Sequence, residues 1–175
     1  PSALKLYLTF QYSALNESFF KNVYRLLPGH YLIHREGRTE FASYNTFSFE
    51  PEQMPLEKRA EQIREVVAES VEAHQISDVE VGSFLSGGID SSVIAALSRP
   101  DKTYSVGFAN KDFDETGEAK ALCEELGLRN ISKTISAEEF FDSLPTIQYY
   151  ADEPNANLST VPLYFLSQLA ARDVK

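Results

Sequence analysis

One stretch limits the fold more than any other. A mostly apolar run with β-branched residues, Val79 to Leu85, leads straight into Ser86-Gly87-Gly88-Ile89-Asp90-Ser91-Ser92, and a helical pattern follows as far as Arg99-Pro100. Strand, glycine turn and helix in immediate succession open a βαβ unit, which needs a parallel neighbour strand and a right-handed crossover. The sequence beyond supplies both. Thr103 to Phe108 reads as a second buried strand and Arg129 to Ile135 as a third strand, and Asp114 to Leu126, stopped by Gly127, reads as the helix between them. Ser136, followed by Glu138 and Glu139, is an N-cap with acidic first-turn residues and opens a helix to about Tyr150. Asp152-Glu153-Pro154-Asn155 reads as a loop, and Ser159 to Arg172 as a further helix with Pro162 in its first turn. This alternation predicts an α/β fold, a parallel sheet flanked by helices.

Residues 1–50 have a different texture. Leu4 to Phe10 fits a short helix or a strand. Pro28-Gly29 is a turn, His30 to His34 alternates like a strand, Glu36-Gly37 reads as a hairpin turn, and Thr39 to Tyr44 returns. Such a β unit is too small to own a core. Glu50 to Pro55 is polar, holds two prolines and reads as a linker, so the chain divides into 1–50 and 51–175. From Leu56 the pattern turns helical: Leu56, Ala60, Ile63, Val67 and Val71 share one face, with charges elsewhere, as far as His74-Gln75.

Composition narrows the function classes. The 175 residues carry a formal charge of −10, which disfavours a nucleic-acid binder, since such proteins need a basic face. The single cysteine, Cys123, can build neither a disulfide framework nor a CxxC pair, and fits a reducing, cytoplasmic setting. No apolar run reaches membrane-spanning length, and no signal peptide is legible. Pro1 without a preceding Met, and Val174-Lys175 at the start of a strand-like pattern, suggest a piece of a larger polypeptide. His30 and His34 have no ligand partners at metal spacing, His74 sits at a helix end, and Cys123 reads as core.

The loop carries the chemistry. Adjacent glycines let backbone approach an anion closely, and the helix that follows offers unpaired N–H groups at its positive end. Ser86, Ser91 and Ser92 add hydroxyls, so Ser86 to Ser92 forms a pocket suited to phosphate or pyrophosphate. Asp90 would repel phosphates unless a magnesium ion lay between; Mg²⁺ takes one or two carboxylates with phosphate oxygens and water. No Walker lysine follows the glycines. A loop of backbone and hydroxyl donors suits a leaving pyrophosphate, with chemistry at the α-phosphate. The bland alternative is a strain-relieving turn with Asp90 capping the helix.

The segment SGGIDSS after an apolar strand resembles the phosphate loop of the N-type ATP pyrophosphatases, which have an adenine-nucleotide-hydrolase-like fold. Tyr7-Leu8-Thr9-Phe10-Gln11-Tyr12, Leu27-Pro28-Gly29-His30-Tyr31-Leu32, Asp114-Glu115 with Ala119, and Asp152-Glu153-Pro154 with Pro162-Leu163-Tyr164 resemble the glutamine-dependent asparagine synthetase branch. That resemblance covers essentially the whole chain. It implies ATP and Mg²⁺ as cofactors, with aspartate and glutamine or ammonia as substrates, and a parent enzyme that could be a homodimer. It assigns nucleotide contacts to Leu85, Ser86, Gly87, Gly88, Asp90, Ser91, Ser92 and Val106, and the metal to Asp90. Residues 1–50 become the end of a glutaminase domain, and 51–175 the first part of the synthetase domain. Asp114 and Glu115 fit site acids or helix-start acids equally, and Asp152 and Glu153 fit an acyl or magnesium contact or a solvated loop equally. The N-terminal nucleophilic cysteine of family glutaminases and the family's later SGEGADE-like signature are absent from these 175 residues. Rival readings are another amide-forming ligase of the same superfamily, β-lactam synthetase-like or peptide-modifying, and a nucleotide-binding module without turnover.

Overall fold

A computed structural model describes residues 2–110, 112, 114–151 and 153–174, and divides into two units. One unit is Pro1–Gln53 with Ala151–Asn157; the other is Met54–Tyr150 with Leu158–Lys175. In the first, helix α1 (Ser2–Phe10) precedes an antiparallel hairpin of β1 (His30–Arg35) and β2 (Arg38–Ser43). The stretch that fitted either helix or strand is thus helical. Glu36 and Gly37 turn the hairpin at φ of 50° and 75°, the positive-φ geometry that two-residue hairpins favour. Within this unit the Arg25 guanidinium holds both oxygens of the Glu153 carboxylate. Among the described residues the unit buries only Ala3 and Ser13.

The second unit carries α2 (Leu56–His74), β3 (Gly82–Phe84), α3 (Ile89–Ser98), β4 (Lys102–Phe108), α4 (Thr116–Leu126), β5 (Arg129–Ile135), α5 (Ala137–Tyr150) and α6 (Thr160–Ala170). Its three strands pair in parallel in the order β3-β4-β5. Arg99 ends α3 in the left-handed region at φ 42°, and Gly127 ends α4 at φ 69°.

Alternation along β4 and β5 gives the sheet two unlike faces. Val106 and Phe108 pack with Ile135 against α5 and α6, in a cluster with Ile147, Val161 and Phe165. Tyr104 lies farther along the same face with Leu169 and Ala170. On the opposite face Leu85, Ala95, Ala119 and Cys123 form a separate core. The residues that β4 and β5 send to that side include Thr103, Ser105 and Asn130, joined by hydrogen bonds.

Two elements differ from the sequence expectation. The first strand is three residues, not the run from Val79, and Val79 is 46% exposed. Among the described residues β3 is a sheet edge, so the residues before Gly82 have no ladder to join on the outer side. Glu80 pairs instead with Lys102, at 3.1 Å. The apolar stripe of α2 is uncovered in its first half: Leu56 and Ile63 are 77% and 57% exposed, Val67 and Val71 are half-buried, and no residue of the helix is fully buried. Just past its C-terminal end, the Gln75 side-chain amide donates to the Ser98 carbonyl.

Candidate functional site

The phosphate-loop residues converge where β3 ends and α3 begins. Leu85 is 1% exposed, and its N–H donates to the Tyr104 carbonyl at 2.9 Å, so the last residue before the loop is anchored in the core. Gly87 then swings to φ 86°. An added Cβ there would lie 2.9 Å from the Glu118 Cβ and 3.1 Å from the Glu115 carbonyl oxygen. Glycine is therefore required twice over, by the backbone angle and by the start of α4 pressing on the loop. Gly88 is the N-cap of α3, extended at φ −69° and ψ 160°, with no side chain to cap the helix.

That missing cap leaves donors free. The first intrahelical bond of α3 runs from Ser92 N–H to the Gly88 carbonyl at 3.0 Å. The N–H groups of Ile89, Asp90 and Ser91 precede it and point out of the helix start, at its positive dipole end. The loop is braced by its own serines. The Ser86 and Ser91 hydroxyls lie 2.9 Å apart, Ser91 Oγ donates to the Gly88 carbonyl at 3.1 Å, and Ser86 N–H and Gly88 N–H donate to the Ser91 and Ser86 hydroxyls. Ser92 Oγ and the Asp90 carboxylate have no side-chain partner among the described residues, and Asp90 is exposed. Backbone N–H groups, a capless glycine and an unspent hydroxyl fit a polyphosphate. The single free carboxylate fits one protein ligand of a Mg²⁺ that takes its remaining oxygens from phosphate and water. Among the described residues no group of three His, Cys, Asp or Glu side chains could hold a metal unaided.

The other sequence candidates separate. Val106 is half-buried and packs on the α5/α6 side, just past the level at which β3 leaves the sheet. Asp114 closes the start of α4: its Oδ1 accepts from the Thr116 N–H at 3.2 Å and hydroxyl at 2.8 Å. Gly107 makes room for that carboxylate, since a Cβ there would stand 2.0 Å from Oδ1. Glu115 contributes its carbonyl to the wall behind Gly87. Glu153 is taken by Arg25, and Asp152 lies outside the described residues. His30, His34 and His74 each contact a nearby oxygen, of Pro28, Thr39 and Ser70 respectively, and Cys123 is buried. An apolar hollow of about 1040 Å³ opens at the same carboxyl end of the sheet, between the ends of β4 and β5 and the starts of α5 and α6, with Phe108, Phe140 and Phe141 in its wall.

Sequence reasoning missed the hydroxyl and amide groups that support the loop from beneath. Ser105 Oγ donates to the Leu85 carbonyl at 2.7 Å, and Asn130 Nδ2 donates to Ser105 Oγ and to Thr103 Oγ1, each at 2.9 Å. The period-two polar spacing Thr103, Ser105 and Asn130, Ser132, Thr134 is the signal that could have found them.

The sequence model of the asparagine synthase family matches residues 62–175. The chain belongs to the asparagine synthase family. It is 39% identical over 177 residues to asparagine synthetase [glutamine-hydrolyzing] 1 of Bacillus subtilis, covering 98% of this chain and 28% of that protein. It is 38% identical over 184 residues to a putative asparagine synthetase [glutamine-hydrolyzing] of Mycobacterium tuberculosis, covering 99% and 28%. The amidase chyE of Penicillium rubens is 39% identical over 88 residues, covering 47% of this chain and 13% of that protein. The chain thus spans 28% of the length of each of these two asparagine synthetases. In this asparagine synthase family chain, no helix among the described residues is long and apolar enough to cross a membrane.

Proposed function

We propose that this chain carries the nucleotide-phosphate site of an ATP-dependent, glutamine-using asparagine synthetase, with residues 1–50 closing its glutaminase domain and 51–175 opening its synthetase domain. The observation that supports this most is the lysine-free loop, Ser86 to Ser92, with uncapped α3 N–H groups behind Gly88, in a chain of the asparagine synthase family. In this reading the loop holds the β- and γ-phosphates of ATP while Leu85 and Val106 flank the nucleoside. Aspartate's side-chain carboxylate attacks the α-phosphorus, the bond to the bridging oxygen breaks, and pyrophosphate leaves into the loop. The aspartyl-AMP formed then accepts ammonia, and AMP departs. The protein's share is positioning and charge neutralisation, which dominate such transfers. Asp90 would provide a carboxylate to hold Mg²⁺, whose charge would offset the crowding of phosphate oxygens.

The full-length protein tests this directly. Pyrophosphate should appear only with ATP, Mg²⁺ and aspartate together, and asparagine only when glutamine or ammonia is added. ATP binding without aspartate-dependent pyrophosphate release would sink the reading. The similarity to the amidase chyE over part of the chain favours one second reading, amide chemistry on a different acyl substrate. A screen of carboxylic acids for pyrophosphate release separates the two, since only the synthetase reading predicts aspartate as the best substrate.

A further inference from the structure

We infer that Ser105, backed by Asn130, is a positioning residue that sets the height of the phosphate loop by gripping the Leu85 carbonyl. This rests on the proposed reading of the loop as an ATP-phosphate cradle. Leu85 is the hinge point between sheet and loop. Its N–H is fixed by an ordinary ladder bond to Tyr104. Its carbonyl is held by a side chain: Ser105 Oγ lies 2.7 Å away, and Ser105 is 1% exposed. A hydroxyl has one hydrogen to give, and here it is committed to Leu85, so the Ser105 oxygen can only accept from elsewhere. Asn130 Nδ2 provides that donor at 2.9 Å, and its other hydrogen goes to Thr103 Oγ1, also at 2.9 Å. Thr103 Oγ1 in turn reaches the Arg129 carbonyl at 3.3 Å. The chain of bonds therefore has a direction, from β5 through β4 to the peptide that launches the loop.

Thr103 and Ser105 are buried, Asn130 is half-buried, and no buried side-chain polar atom among the described residues lacks a partner. Removing the Ser105 hydroxyl takes the side-chain donor from the Leu85 carbonyl and an acceptor from Asn130, and the cheapest relief is a shift of Leu85 towards another donor. Such a shift moves Ser86 to Gly88 relative to α3, and so moves the donors that meet phosphate. Ser105 touches no phosphate itself, and its effect must pass through the loop.

The test uses the full-length protein and compares Ser105→Ala, Ser105→Thr and Val161→Ala, the last a core truncation on the opposite face of the sheet. ATP affinity is measured by isothermal titration without the acyl substrate, and KM for ATP and for aspartate by pyrophosphate release. Ser105→Ala should weaken ATP binding and raise its KM by roughly tenfold, since small misplacements of positioning groups cost rates and affinities of that order or more. KM for aspartate should stay within about twofold by the same argument, and Ser105→Thr, which keeps the hydroxyl, should restore ATP binding. Val161→Ala should lower the melting temperature without moving KM for ATP. Wild-type ATP affinity in a folded Ser105→Ala protein, or an equal loss of affinity in Val161→Ala, overturns the inference while leaving the proposed function standing. A wild-type protein that does not bind ATP overturns both. If Ser105→Ala does not fold, Asn130→Ala makes the same comparison one bond further from Leu85: weakened ATP binding supports the inference, and wild-type affinity overturns it.

Discussion

Asp90 is a carboxylate placed where the backbone is arranged for anions, and that conflict decides what the residue does. It stands two residues past Gly88, exposed, in the first turn of α3. The helix dipole favours a negative charge there in the free protein, and replacing it by asparagine costs the fold only the about 0.3–1 kcal/mol that such an exposed charge contributes. In the proposed reading its value would show when ATP binds with Mg²⁺, to which it would offer a carboxylate. Asp90→Asn in the full-length protein should keep its melting temperature within a degree or two and lose roughly a hundredfold in turnover, the order reached when one charge-stabilising group is removed. Raising Mg²⁺ should recover part of that loss; turnover equal to wild type would remove the metal role. At this scale the sequence was informative because the loop is contiguous: seven neighbouring residues from Ser86 to Ser92 define both the turn and the donors. Val106 was legible as a strand-end residue, but its side chain packs with Ile135 and Phe165 as well. Ser105 and Asn130 were not legible as partners, because the bond between them joins residues 25 apart in sequence.

Elements fared according to how local their causes are. The start of α5 is written into four residues. Ser136 Oγ accepts from the Glu139 N–H at 3.1 Å, and the Glu139 carboxylate accepts from the Ser136 N–H at 2.9 Å, a reciprocal capping box. The Lys133 ammonium hydrogen-bonds the same carboxylate at 2.6 Å and, together with the Ser136 N–H, holds its pKa below the ordinary 4.5. A carboxyl whose folded pKa is depressed stabilises the fold above its unfolded value and gives that up as pH falls through the folded one. Glu139→Gln should therefore be less stable than wild type at neutral pH, and the gap in melting temperature should close as the pH is taken down through the folded pKa of Glu139. A gap that stays constant across that range would show that the charge is not what matters. The αL ends of α3 and α4 were equally local, set by Arg99-Pro100 and Gly127. The covering of α2 was not: periodicity tells which residues share a face, and says nothing of whether another surface meets it. The length of β3 failed for the same reason, since a strand extends only as far as a neighbour gives it bonds.

Across the whole molecule, burial is unevenly shared. Among the described residues the unit Pro1–Gln53 with Ala151–Asn157 buries Ala3 and Ser13, whereas β4 alone buries Thr103, Tyr104, Ser105 and Gly107. Local opening follows local packing. In native-state hydrogen exchange the amides of β1 and β2 should lose protection well before those of β4 and β5; equal protection factors in the hairpin and the parallel sheet would contradict this. The α/β alternation that fixes the second unit was readable end to end, because each strand and helix has its own period. The unlike faces of the sheet were readable only in part, since Thr103 and Ser105 look like ordinary strand residues until Asn130 is placed beside them. Their pairing also specifies alignment. A purely apolar face would let β5 slide against β4 and find other greasy contacts almost as good. Here a slip of one residue turns Asn130 to the other side of the sheet and takes away the amide that Thr103 and Ser105 both accept from, at about 0.5–1.5 kcal/mol for each bond lost. The same bonds that hold Leu85 in place thus discriminate against misfolded neighbours, so the chain must choose its strand register before it can present a phosphate loop at all.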